Sequence, residues 1–139
     1  MGRHMKSSFK TVALGLTLGA LVATGCQGSS DPTNDALVGD WVWAAISRDG
    51  GAFQSCPTTV GAARCGASDI LRLQSNGTYV ASDGDLFPEV GTWRRDRSDL
   101  IFRSSTGVEQ RVGFVLVSNT LDLTTTFGGS VYVERLRRF

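Results

Sequence analysis

Three cysteines hold most of the reactive chemistry in this 139-residue chain: Cys26, Cys56 and Cys65. A cysteine can serve as nucleophile, metal ligand or disulfide half, and an odd count in an exported protein leaves one without a partner. Cys56 and Cys65 lie nine positions apart in QSCPTTVGAARCGAS, a spacing that fits neither a zinc knuckle nor a redox CxxC pair. The other reactive types are scarce. The single histidine is His4 and the only lysines are Lys6 and Lys10. From residue 26 onward there is therefore no imidazole base, no Schiff-base amine and no histidine metal ligand. Asp83, Asp85 and Glu89 gather in SDGDLFPE, without the alternating acids, central glycine and distal glutamate of a calcium loop. A solvated turn is the expectation there. With no nucleophile elbow, phosphate loop or zinc motif, the sequence predicts no enzyme, no metal and no cofactor.

The residues before Cys26 explain the odd cysteine. Lys6 and Lys10 give a positive start, Thr11 to Ala23 (TVALGLTLGALVA) is uncharged and mostly apolar, and Thr24-Gly25 closes the run with small residues. That run is shorter than the ~20 apolar residues a spanning helix needs and fits the core of an export signal. Ala23-Thr24-Gly25-Cys26 resembles the lipobox of bacterial lipoproteins. The resemblance implies a signal peptide over 1–25, cleavage before Cys26, and acyl chains on Cys26 that anchor the protein to a membrane. Several chains satisfy the requirement of more than one for stable anchoring. Gln27 in place of aspartate implies the outer membrane, with the protein in the bacterial envelope.

In an oxidising periplasm, Cys56 and Cys65 are expected to form a local disulfide, contributing about 2–3 kcal/mol by loop closure. Two cysteines then pair and the third takes lipid. Residues 26–139 carry eleven arginines against thirteen acids, a formal charge of −2 that argues against a nucleic-acid partner. This length suits one small domain over 37–139, behind an acylated cysteine and flexible tether over 26–36.

Within that domain, apolar residues alternate with polar ones between turn signals. The pattern predicts strands at Gly39–Ser47, Ile70–Gln74, Thr78–Ser82, Val90–Arg95, Leu100–Ser104, Glu109–Ser118, Leu121–Thr126 and Ser130–Arg138. Ser75-Asn76-Gly77 is a strong hairpin signal, because Asn and Gly tolerate positive φ. All connections are short except Arg48 to Ser68. Eight neighbouring antiparallel strands abolish their edges by closing into an up-and-down barrel, the expected all-β fold.

The order GDW, ILRLQSNGTYV, VGTW, DLIF, TLDLTTT and VYVERL is similar to small bacterial lipocalin-like domains. In lipocalins a GxW tryptophan closes the barrel base and an arginine of the last strand packs across it. The resemblance assigns Gly39 and Trp41 to that base. Arg135 is selected as the arginine, on a face with Val131, Val133 and Arg137. It also implies that the long first connection lids the open end, with Phe53 covering the mouth.

Trp43, Tyr79, Trp93, Phe102 and Phe114 are, with Phe53, the candidate pocket residues. A barrel of this size either fills itself with side chains or holds one small ligand. Two function classes follow. The first is a monomeric, lipid-anchored module binding a small apolar molecule. The second is a non-enzymatic periplasmic interaction protein, such as an inhibitor of proteases or lysozymes.

Overall fold

A computed structural model describes residues 32–82 and 89–139. Cys26, the export-signal residues, Asp83 and Asp85 lie outside the described residues.

Among the described residues, one short helix, α1 (Pro32–Leu37), leads into eleven strands. Eight of them build the barrel wall: β1 (Gly39–Arg48), β5 (Ile70–Leu73), β6 (Thr78–Ser82), β7 (Glu89–Asp96), β8 (Asp99–Ser104), β9 (Glu109–Val117), β10 (Thr120–Phe127) and β11 (Ser130–Arg138). Each pairs antiparallel with the next, and β11 returns to β1, so the sheet closes on itself. The three small strands all fall in the long connection: β2 (Gln54–Ser55), β3 (Thr58–Val60) and β4 (Ala63–Cys65). Sequence alternation is blind to strands this short, and α1 has too few residues to show a helical period.

The hairpin chemistry follows the sequence closely. Between β5 and β6, Gly77 adopts φ +81° and Asn76 Oδ1 accepts the Thr78 N–H at 3.0 Å. Only a residue tolerant of that φ closes so short a loop. The register then fixes which side chains point inward. Tyr79 lies opposite Gly91, Trp93 opposite Phe102, Phe102 opposite Gln110, and Leu123 opposite Phe114. Gly91 is required here, because a Cβ would sit 2.0 Å from the Arg103 carbonyl oxygen and 2.8 Å from the Tyr79 ring.

β1 changes face part-way along. Trp41 and Trp43 point inward, but a bulge between Trp43 and Ala45 shifts the register, so that Ile46 then faces Glu134 and Arg48 faces Tyr132. A bulge inserts one residue and reverses the alternation beyond it. Ala45 thus turns outward, where β2 pairs with it through Ser55, and Ser47 Oγ donates to the Gly51 carbonyl at 2.9 Å. The core runs from Leu37 and Trp41 at one end, through Leu71, Leu73, Trp93, Leu100, Leu121 and Leu136, to Phe102 and Leu123.

Candidate functional site: the two ends of the barrel

At the base, β1 begins, β11 ends and α1 crosses between them. The fully buried Trp41 donates its indole N–H to the Leu37 carbonyl at 2.9 Å. The arginine across its ring is Arg138, with the guanidinium carbon 4.4 Å from the ring centroid. Arg138 also donates to the carbonyls of Val38, at 2.9 Å, and Ala36. Gly39 has φ +143°, and a Cβ there would lie 2.6 Å from the Arg138 guanidinium. The Gly39 and Trp41 expectations therefore fit the geometry, but Arg135 does not belong to the base. It points outward, bonds both Asp122 carboxylate oxygens at 2.8 Å, and stacks on Phe53 with 3.9 Å to the ring centroid. The inward face of β11 is Ser130, Tyr132, Glu134, Leu136 and Arg138. A one-residue error of face moves every side chain to the other side.

Phe53 is corrected by the same contact. It lies on the outer wall, 38% exposed, rather than over the mouth. The mouth is covered instead by the β3–β4 hairpin. Cys56 and Cys65 are disulfide-bonded, with Cα atoms 5.5 Å apart, and Ala63 and Cys65 are buried against the core. The Tyr132 hydroxyl accepts the Ala62 N–H at 3.1 Å, and Arg48 donates to Ser130 Oγ at 2.7 Å. These contacts seal the β1 and β11 side of the mouth.

On the β6 to β10 side, the inward positions near the mouth are only half-buried and, Phe127 apart, polar or small: Ala81, Glu89, Ser104, Gln110 and Thr125. Their floor is Tyr79 and Phe102, packed edge to face at 5.0 Å between centroids. Glu89 accepts the Tyr79 O–H at 2.6 Å, so this acid belongs to the barrel wall and not to a solvated turn. Burial, then the hydrogen bond to Glu89 and its negative charge, push the Tyr79 hydroxyl well above its ordinary pKa. Among the described residues, Gln110 Oε1 is buried without a hydrogen-bond partner, as is Asn34 Oδ1 in α1. Of the two, only Gln110 faces the interior from the wall, beside Phe102.

The sequence-derived pocket divides. Tyr79 and Phe102 form the floor of this mouth. Trp43 is buried and donates to Glu134 at 2.6 Å, within the wall shared by β1 and β11. Trp93 is buried toward the base, with its indole N–H on the Gln74 carbonyl at 3.0 Å. Phe114 lies under the Arg95 guanidinium near the β7–β8 turn. Gln110, Glu134 and Arg138 escaped the sequence reading. For Arg138, the missed signal was the face shared by Tyr132 and Leu136. Both faces of β11 carry apolar residues, so alternation alone did not separate them.

Among the described residues, no three His, Cys, Asp or Glu side chains gather to hold a metal ion. No family model and no curated protein matches the chain. Among solved structures, an uncharacterized protein from Bacteroides eggerthii is similar at 12% identity. The match covers 73% of this chain and 98% of that one, with a TM-score of 0.49.

Proposed function

We propose that the protein is a lipid-anchored lipoprotein of the bacterial envelope. Its lipocalin-like barrel acts as a non-enzymatic binding module for a small, mainly apolar molecule carrying a hydrogen-bond donor. The anchor rests on the lipobox at Ala23–Cys26. The binding reading is carried by one observation, Gln110 Oε1 buried inside the wall beside Phe102 with no hydrogen-bond partner among the described residues. A buried acceptor left unpaired costs about 1–3 kcal/mol, so its retention calls for an explanation. An apolar floor with a few placed polar groups is the usual composition of a small-molecule site.

Titration with 2-naphthol, an aromatic probe with one hydroxyl donor, tests this reading. Gln110→Leu keeps the size and removes the acceptor. It is expected to leave the melting temperature equal or higher and to weaken probe binding by up to about tenfold, the equivalent of one net hydrogen bond. Equal affinity in both proteins, or a marked loss of stability in the variant, would discard the ligand site.

A further inference from the structure

Resting on the lipid-anchored reading above, we infer that the base corner of β9 to β11 docks on the membrane that holds the anchor, leaving the mouth facing away from it. The register places Val117 opposite Thr120, and Thr120 opposite Arg137, in one row across the outer wall. Val115 lies one pleat away in the next row, and Phe139 follows Arg137 at the chain end, with its backbone N–H on the Asp40 carbonyl at 3.0 Å. Val115, Val117 and Phe139 are 59%, 64% and 90% exposed. The Arg97 turn borders this corner, because Ser98 accepts the Phe114 N–H at 3.0 Å.

Charge separates this corner from the neighbouring wall. Arg72 is paired with Asp40, Arg111 with Asp96 and Asp99, and Arg135 with Asp122. Arg97 and Arg137 are exposed and have no ion-pair partner among the described residues. Apolar side chains flanked by exposed guanidinium groups match a bilayer interface, where the first enter the acyl boundary and the second meet lipid phosphates.

The chain itself brings this end to the membrane. α1 is held at the base by Trp41 and Arg138. Only Gln27 to Asp31 stand between Cys26 and Pro32, a reach of at most about 20 Å. An acylated Cys26 therefore holds the base, and with it Val117 and Phe139, close to the headgroups.

The test uses full-length protein purified from membranes and reconstituted into vesicles of phosphatidylethanolamine and phosphatidylglycerol. A polarity-sensitive fluorophore is attached at Val117→Cys on the base corner or at Ser105→Cys on the mouth loop. The Val117→Cys label should shift to the blue and be quenched by acyl-brominated lipid, whereas the Ser105→Cys label should do neither. Adding Arg97→Glu with Arg137→Glu should abolish the shift. If the chain floats with the vesicles but both labels report water, docking is overturned and the anchor stands. A shift that grows with protein density rather than lipid assigns the corner to a second copy and also overturns docking. A chain that fails to float, with Cys26 open to alkylation, overturns both readings.

Discussion

The two ends of this barrel share the same strands and the same alternation, yet they are packed differently. At the base, the inward positions are large apart from Gly39, which makes room for Arg138. Trp41, Leu73, Leu100 and Leu136 fill the space, and Arg138 ties the last strand to α1 and to the Trp41 ring. At the mouth, the inward residues of β6 to β10 other than Phe127 shrink or become polar, and a disulfide-closed hairpin covers the opposite side. Dense apolar packing concentrates stability, while half-buried polar positions leave a surface that can exchange partners. An eight-stranded wall is only a frame, and side-chain size along each strand decides how tightly each end packs.

The sharpest way to break this contrast is Trp41→Ala. Truncating a buried tryptophan typically costs ~3–5 kcal/mol, a large share of the ~5–15 kcal/mol that holds a domain folded. Urea denaturation should show the variant unfolded or severely weakened. Wild-type stability would mean that the base is not the structural end.

Removing the mouth's staple should cost less. The double variant Cys56→Ser with Cys65→Ser is expected to lose about 2–3 kcal/mol, with amide exchange rising first in β3 and β4. A loss as large as that of Trp41→Ala would erase the difference between the ends.

The two arginines of β11 offer an internal control. Arg138→Met keeps the aliphatic stem but gives up charged hydrogen bonds to the Val38 and Ala36 carbonyls, for about 1.5–3 kcal/mol. Arg135→Met breaks a part-exposed pair with Asp122 and should cost under about 1 kcal/mol. Thermal melts of both variants would sharpen the assignment of Arg138 to the base, and the reverse order would undo it.

Acid should produce the smallest effect, spread over both ends. The Arg72 hydrogen bond lowers the pKa of Asp40, the Val131 N–H that of Asp49, and the Arg111 hydrogen bond that of Asp96. Their folded pKa values therefore lie below the unfolded value of about 3.9. This contribution is fully present above the unfolded pKa and is lost as pH falls through the folded ones. The melting temperature should be level from about pH 7 to 5 and decline below about pH 4. A decline beginning near neutrality would point to a titrating group other than these three.

Much of the wall was legible residue by residue. Thr78–Ser82 and Ser130–Arg138 match their strands end to end, because half-buried antiparallel strands write their period into the sequence and Asn76-Gly77 writes the turn. Gly39 and Trp41 were singled out by a resemblance, and both lie against Arg138 where β1 begins. Phe53 was not placed correctly, since nothing in a loop's sequence says which side of the barrel it returns to. Glu89 was read as a turn residue because the sequence does not show that Tyr79 stands one strand away.

By itself, then, the sequence determined the number of barrel strands, their order and the pairing of Cys56 with Cys65. Each of these depends on local pattern, on a short loop, or on the need to leave no open edge. Tertiary structure alone decided which face of β11 points inward, that the bulge in β1 reverses its alternation, that Arg138 and not Arg135 crosses Trp41, and that Gln110 Oε1 is buried with no donor among the described residues. These choices turn on a shift of one residue against a distant strand. Alternation has a period of two, so when both faces carry apolar side chains, only closure of the barrel tells one from the other.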